Sequence, residues 1–319
     1  MPKAVQLSAY GGIEQLAIVD VPKPVPAAGE VVVRVVAAGT NPGEISIREG
    51  YLKDRWPMAF PFGQGTDFAG RVDAVGADIT EFRPGDDVLG WSEERSAQAD
   101  YVRSKPERLV VKPPTLDWYR AGSLFVAGVT AVAAVRAVAL EPSDVVAISG
   151  AAGGVGSFAV QLARRTGARV IGISGNDNAA FLRSVGAEHV AYGDGLATRL
   201  RALAPNGIDA FVDLFGNGYV DLAIELGVAP DRIDTIIDFA TAAKYGAKTD
   251  GSGAASDRGT LGFLANLIAW GEIVMPIAAV YPLASIEDAY TELARRKTHG
   301  KIVLAIDASV SQPLHPPRV

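Results

Sequence analysis

The segment that most constrains this chain is Val-Val-Ala-Ile-Ser-Gly-Ala-Ala-Gly-Gly-Val-Gly-Ser at 145–157. An apolar, β-branched run ends at Ser149, and glycines recur at 150, 153 and 156. Apolar residues then follow at helical spacing: Val155, Phe158, Ala159 and Leu162. A strand that turns straight into a helix through such glycines meets three separate demands. The turn must be tight, the backbone must come close to a pyrophosphate, and the helix must pack against the strand it left. The unpaired N–H groups at the helix start then receive phosphate oxygens. Glycine spacing alone is weak evidence, because strand–helix turns use glycine for geometry as well. Here the context is complete, with a strand before, an apolar helix after and a second strand from Arg169. The turn therefore predicts a dinucleotide site, with Gly150, Ala152, Gly153, Gly154 and Val155 around the phosphates.

The flanking pattern supports a doubly wound sheet. Strands are expected at 145–149, 169–174, 189–192, 210–215 and 232–239. Helices are expected between them at 154–166, 179–185 and 219–226. Strands alternating with helices imply parallel pairing. The residues before them read differently. Glu30 to Ala38 is β-branched, Gly70 to Val75 alternates apolar and polar, and Pro84-Gly85-Asp86 is turn chemistry ahead of a strand at 87–90. Dense Gly and Pro punctuation makes the first hundred residues an all-β, barrel-like region. An Ala/Val-rich stretch at 117–140 reads as one helical segment. After a Gly/Ser-rich stretch at 244–259 come a helix at 260–271, a strand at 272–279, a helix at 285–296 and a strand at 301–306. The proline-bearing tail, 309–319, is expected to be loosely held.

Composition removes several classes of function. With 319 residues, two domains are the prior. The net charge of −6 argues against nucleic acid or an anionic membrane as partner. The chain has no cysteine, which excludes disulfides, thiolate catalysis and any Cys-ligated zinc. The histidines at 189, 299 and 315 lack metal spacing, so no metal site is expected. The first residues lack the apolar core of a secretory signal, and no apolar stretch is long enough to span a bilayer, so a cytoplasmic location is the expectation.

The second strand of the sheet should end at the adenine ribose. An acidic residue there favours a free 2′-hydroxyl and a basic one a 2′-phosphate. The chain has Ser174-Gly175-Asn176-Asp177-Asn178 and no base before Arg183. Ser174, Asn176 and Asn178 could hold a phosphate. Asp177 could hold a hydroxyl or cap the following helix. Phe215 and Phe239 close later strands at the edge where such ligands bind.

Seven stretches carry a resemblance that covers nearly the whole chain. They are AAGTNPGEISIREG (37–50), GTDFAGRVDAVG (65–76), FRPGDDVLG (82–90), GVTAVAAV (128–135), SGAAGGVGSFAVQLAR (149–164), FLRSVGAEHV (181–190) and HGKIVL (299–304). Together they resemble the zinc-free quinone oxidoreductase branch of the medium-chain dehydrogenase/reductase superfamily, the zeta-crystallin-like proteins. The resemblance implies an α/β protein. A GroES-like β-barrel catalytic domain takes 1–116 and 256–319, and a Rossmann nucleotide-binding domain with a doubly wound parallel sheet takes 117–255. Zinc alcohol dehydrogenases of the superfamily carry Cys and a His-Glu pair where this chain has Asn41 and Thr66-Asp67. Neither Asn nor Thr supplies a thiolate or imidazole for zinc.

The same resemblance assigns roles. Asn41 lies beside the nicotinamide, where its amide bonds the cofactor or orients a carbonyl; read alone, Asn41-Pro42 is a turn. Thr130 touches the nicotinamide half, Tyr192 the adenine ribose, and Lys301 lies near the cofactor. The proton comes from solvent or from Tyr51, which is shifted by one residue from the family's usual tyrosine position. The implied activity is an NADPH-dependent reductase, with NADH as the alternative cofactor. It transfers hydride to a quinone or to an α,β-unsaturated carbonyl, an enone or enoyl substrate. The competing expectation is an NAD(P)H-binding structural or regulatory protein with little turnover. A small-molecule substrate and a homodimer are expected.

Overall fold

A computed structural model describes residues 1–54 and 56–310. Most of the proline-bearing tail, 311–319, therefore lies outside the described residues. The chain divides into two compact units. One comprises Met1–Val126, Asp257–Glu272 and the described residues from Ile277; the other comprises Ala127–Ser256 and Ile273–Pro276.

The second unit carries five parallel strands. Their order across the sheet is Glu188–Ala191, Arg169–Ser174, Val145–Ile148, Ala210–Asp213, Ile233–Thr235. The chain builds outward from Val145–Ile148 to one side, then returns to build outward on the other. The sheet's switch point thus lies at the end of Val145–Ile148, where the glycine turn begins. Helices Gly154–Arg165, Ala179–Ser184, Leu196–Leu203 and Tyr219–Glu225 make the crossovers. Strands covered on both faces need apolar residues throughout. Val146, Ala147, Ile148, Phe211 and Val212 are accordingly fully buried. A side chain such as Phe211 contributes about 2–3 kcal/mol by leaving water. This is the doubly wound α/β sheet that the strand–helix alternation implies.

The first unit is mainly antiparallel. Its largest sheet runs Ile277–Pro282, Lys301–Ala305, Val31–Gly39, Asp67–Val75, Asp87–Trp91, Leu109–Val111, and Tyr101–Ser104 also pairs with Val31–Gly39. A smaller sheet joins Ala17–Asp20, Lys3–Leu7 and Phe62–Gly63. One core lies inside the larger sheet around Val33, Phe68, Val88 and Leu109. Another packs Val5, Leu7 and Leu304 against Ile286, Tyr290 and Leu293 of helix Ile286–Ala294.

Four local readings need correction. The first hundred residues are not all-β, because helix Pro42–Arg48 interrupts the strands. Its signal was present: Pro stands at the first helical position and Glu44 is three residues after Asn41. The stretch at 117–140 is two helices, Trp118–Ala121 and Phe125–Ala137. Gly122 stands at the break, where a Cβ would lie 2.4 Å from the Ala37 carbonyl oxygen. The strand expected at 232–239 stops at Thr235. The Thr235 hydroxyl accepts from the N–H groups of Ile237 and Asp238 and turns the chain. Asp238 then caps helix Phe239–Tyr245 by accepting from Thr241 N–H, so Phe239 opens a helix and does not close a strand. Finally, Leu196–Leu203 is a helix that no start signal announced, since a left-handed Gly195 precedes it.

Candidate functional site

The turn of the second unit assigns a different task to each glycine. Gly150 sits at φ +59°, in the left-handed region that strains any residue with a Cβ. At Gly156 a Cβ would lie 2.1 Å from the Gly150 carbonyl oxygen, so the helix can meet the turn only through glycine. Gly153 is different. Its φ is −75° and ψ −176°, which any residue can adopt, and the nearest atom to a Cβ would be 3.3 Å away. The fold makes its strictest demands on 150 and 156 and a lesser one on 153, where the Gly150 carbonyl would have to give by a few tenths of an ångström. No side chain caps helix Gly154–Arg165, so its first N–H groups lack a side-chain acceptor.

The strand ends around this turn are tied by one buried carboxylate. Asp213 Oδ1 accepts from Ser149 Oγ at 2.6 Å and from the N–H groups of Phe215 and Gly216 at 3.0 and 2.9 Å. Its Oδ2 accepts from Thr235 Oγ1 at 2.8 Å. Ser149 Oγ in turn accepts from Leu214 N–H. Three adjacent strands are thereby fixed at their carboxyl ends, the edge where open parallel sheets bind ligands. The backbone at Phe215 is part of this arrangement, and its ring meets Tyr219 edge-on.

Ser174, Asn178 and Tyr192 also gather at this edge. The Tyr192 ring lies against Gly175, 3.5 Å from where a Cβ would stand, with Asn178 Nδ2 at 3.9 Å. Tyr192 is 59% exposed. Arg199 holds the backbone beneath it, donating to the carbonyls of Ala191 and Asp194. Ser174 Oγ donates to the Gly175 carbonyl. Asp177 is exposed, and no side chain caps helix Ala179–Ser184, so it does not play the capping role. Thr130 is buried in helix Phe125–Ala137, and Phe239 stands exposed at the start of its own helix.

The first unit holds a second constellation, made of buried charged and amide side chains. Asn41 precedes helix Pro42–Arg48 and is 5% exposed. Its backbone N–H donates to Glu44 Oε2 at 3.0 Å, and its Nδ2 donates to Glu44 Oε1 at 3.3 Å and Asp67 Oδ2 at 3.4 Å. Its Oδ1 accepts from Lys301 Nζ at 2.5 Å, and Lys301 also donates to the Thr40 carbonyl at 2.6 Å. Lys301 Nζ stands 3.9 Å from Asp67 Oδ2. Glu44 further accepts from Thr66 N–H and from the Tyr290 hydroxyl. That hydroxyl itself accepts from Gln64 Nε2 and Gln98 Nε2, each at 2.8 Å.

Burial sets the electrostatics here. Desolvation pushes the Asp67 carboxyl up to about 6; Lys301 opposes this and Glu44 adds to it. Desolvation lowers Lys301 from the ordinary lysine range, and both carboxylates pull it back. Burial first, and then Glu44, pushes the Tyr290 phenol well above its usual value. The sequence reading found Asn41 and Lys301 but not their closeness, and it missed Glu44, Asp213, Gln98 and Tyr290. Only the Asn-x-x-Glu spacing gave a local signal for Glu44. Tyr51 stands just beyond the helix and is 78% exposed.

Residues 27–133 match the alcohol dehydrogenase GroES-like domain family, and residues 154–227 match the zinc-binding dehydrogenase family. A quinone oxidoreductase of Pseudomonas aeruginosa is 30% identical over 95% of this chain and 99% of its own. The chain belongs to the quinone oxidoreductase branch of the medium-chain dehydrogenase/reductase superfamily. A chloroplastic quinone oxidoreductase of Triphysaria versicolor is 34% identical, but the match spans 59% of this chain and 60% of that one. The structure of the quinone oxidoreductase from Coxiella burnetii superimposes with a TM-score of 0.84 at 27% identity, covering 96% of this chain and 99% of that one.

Membership of this superfamily raises two ligands, and the residues answer differently. Zinc does not fit. The ligand positions hold an amide at Asn41 and a hydroxyl at Thr66, and the ammonium of Lys301 is already bonded to Asn41 beside the Asp67 carboxylate. A divalent ion there would meet that positive charge without a thiolate or imidazole to hold it. The glycine turn is chemically suited to a nicotinamide dinucleotide, because the helix that follows it has no side-chain cap. Among the described residues no helix is long and apolar enough to cross a membrane.

Proposed function

We propose that the chain is an NADPH-dependent, zinc-independent reductase acting on a quinone or an α,β-unsaturated carbonyl. The observation that carries this reading is the helix start at Gly153 and Gly154, which no side chain caps and which stands at the switch point of a parallel sheet. Uncapped N–H groups at such a helix start are a ready site for the phosphates of a dinucleotide. Membership of the quinone oxidoreductase branch supports the acceptor class.

Gly150, Ala152, Gly153, Gly154 and Val155 hold the pyrophosphate on backbone N–H groups. Ser174, Asn178 and Tyr192 hold the adenine ribose and its 2′-phosphate, with Phe215 and Phe239 as apolar walls nearby. Asn41, Thr130 and Lys301 serve the nicotinamide half. When bound, the reduced nicotinamide supplies a hydride, which with one proton reduces a quinone to a hydroquinone or an enone to a saturated carbonyl. The proton comes from solvent or from Tyr51, whose side chain is open to water. Asp213 fixes the strand ends on which the phosphate-binding backbone stands. Asp177 supports a second reading in which NADH is the cofactor, because an exposed carboxylate that caps no helix is free to accept from a ribose 2′-hydroxyl.

The test is steady-state oxidation of NADPH and of NADH with a 1,4-benzoquinone and with a simple enone. Turnover with NADPH supports the proposal. Preference for NADH, abolished by Asp177→Ala, overturns the cofactor assignment. Tight NADPH binding without turnover of either acceptor overturns the reductase reading in favour of a nicotinamide-binding regulatory protein.

A further inference from the structure

The loop between strands Asp87–Trp91 and Tyr101–Ser104 carries Glu93, Glu94 and Arg95 in a row. Other cations take the two acids: Glu93 pairs with Arg108, and Glu94 faces Arg103 at 3.8 Å. Arg95 is left over. Among the described residues no carboxylate stands at ion-pair distance from its guanidinium, and no oxygen accepts from it. Its guanidinium carbon lies 5.6 Å from the centre of the Trp56 ring, a contact of charge with a ring face that supplies no acceptor oxygen. The five N–H donors of the group are thus open to a ligand.

Two observations separate this residue from a solvated surface arginine. Arg95 is half-buried, and burial lowers it from its ordinary value, with Glu44 pulling it back. The loop also holds it in place. Ser92 N–H donates to the Thr66 carbonyl at 2.9 Å and Ala97 N–H to the Gly65 carbonyl at 3.0 Å. Thr66 in turn donates to Glu44 of the Asn41 cluster, so the loop is tied to that cluster within the first unit. Inside the loop Ser96 N–H donates to Ser92 Oγ, and the two serine hydroxyls are bonded to each other. Arg95 stands at φ +52°, a left-handed conformation that glycine takes without strain and arginine does not. The backbone therefore does not call for arginine here. A fixed, partly desolvated and unpaired guanidinium favours an incoming anion. Its parallel N–H groups match the two oxygens of a carboxylate, and its single charge balances one carboxylate and not a phosphate dianion.

We propose that Arg95 is an anion-binding residue of the first unit, and that the acceptor this chain reduces carries a carboxylate which Arg95 receives. The second half rests on the reductase reading; the first does not. A matching acceptor is an enone acid such as (E)-4-oxopent-2-enoate. Its reduction places hydride at C2 and a proton at C3. The C2–C3 double bond becomes a single bond, and 4-oxopentanoate and oxidised nicotinamide result. Arg95 takes no part in bond making; it holds the carboxylate.

The decisive experiment is calorimetric titration of the cofactor-free chain with 4-oxopentanoate and with its methyl ester. The acid should bind at least about tenfold more tightly, the scale of one hydrogen-bonded charge pair. In Arg95→Gly, which suits the left-handed backbone and so spares the fold, acid and ester should bind alike. Arg95→Lys should keep part of the preference, because it keeps the charge and loses the fork. Equal binding of acid and ester to the native chain, no binding of the acid, or a preference that survives in Arg95→Gly would overturn the proposal. So would a loss of thermal stability in both Arg95→Gly and Arg95→Met with the preference intact, since the arginine would then serve the fold alone.

Kinetics separate the anion site from the reading beneath it. With NADPH and the unsaturated pair, (E)-4-oxopent-2-enoate and its methyl ester, the native chain should show the higher kcat/KM for the acid, through a lower KM. The ester is the more electrophilic enone, so reactivity alone favours the opposite order, and Arg95→Gly should restore that order. Turnover of both enones without preference for the acid leaves the reductase reading standing and overturns the role of Arg95 toward the acceptor. Arg95-dependent binding of the acid with no turnover of either enone overturns the reductase reading, and with it the acceptor assignment, and keeps the anion site.

Discussion

The glycine turn of the second unit and the Asn41 cluster of the first achieve order by opposite means. The turn is built from backbone: side chains are absent at 150, 153 and 156, and strand ends are held by one carboxylate, Asp213. The cluster is built from side chains, with two carboxylates, an ammonium, a phenol and three amides packed out of water. A site made of backbone tolerates change at few atoms but is encoded locally. A site made of buried charge depends on every partner and is encoded by residues far apart in the chain.

The comparison breaks first at Gly156. Gly156→Ala would drive a Cβ to 2.1 Å from the Gly150 carbonyl oxygen, which helix and strand can relieve only by moving apart. The expected loss is about 3 kcal/mol of stability, on the scale of overpacking, with NADPH binding lost as well. Denaturant unfolding and a fluorescence titration check both. A variant with native stability and affinity would show that the turn is looser than its geometry implies.

Two buried carboxylates sharpen the comparison next. Burial pushes Asp67 up to about 6 against the pull of Lys301, and pushes Asp234 up to about 7 against a weaker pull from Lys248, with Asp250 and Asp213 adding to the rise. Asp234 Oδ1 accepts from Asp250 N–H, while its Oδ2 has no hydrogen-bond partner among the described residues. An acid whose folded pKa is raised weakens the fold when it ionises. Its contribution is fully favourable below about pH 4 and declines as pH rises through about 7. Asp234→Asn keeps the acceptor for Asp250 and removes the ionisation. It should flatten that decline and raise stability at pH 8 by on the order of 2 kcal/mol, as followed by unfolding at pH 5 and pH 8. A variant that keeps the same slope would place the titration on another group.

The smallest effect is expected at Tyr290. Tyr290→Phe removes a hydroxyl that accepts from two glutamine amides and donates to Glu44. Unfolding should show a loss of about 1 kcal/mol, because the two amides and the carboxylate can partly satisfy one another. A loss several times larger would mean that the phenol organises the whole cluster.

The same contrast explains what could be read from the sequence. The turn and the parallel sheet were legible because period, glycine spacing and β-branched runs are local signals. The end of the strand at Thr235 was not, because Ile236 and Ile237 continue the β-branched pattern while the Thr235 hydroxyl turns the chain. Asn41 was visible through its resemblance and Glu44 through its spacing. Tyr290 and Gln98 were invisible, since nothing in either neighbourhood announces a partner about 200 residues away. Lys301 was found for its motif, but its bond to Asn41 emerges only when strand Lys301–Ala305 pairs with Val31–Gly39.

The most direct test of the central claim is the NADPH affinity of Gly153→Val. The backbone at 153 has φ and ψ that any residue can adopt, and a Cβ there would meet one close atom, the Gly150 carbonyl oxygen at 3.3 Å, which must give by a few tenths of an ångström; thermal unfolding is therefore followed beside affinity. If this backbone receives the pyrophosphate, affinity should fall at least about a hundredfold, some 3 kcal/mol, with little change in thermal stability. Native affinity in that variant, or failure of the unaltered chain to bind NADPH or NADH, would contradict the account.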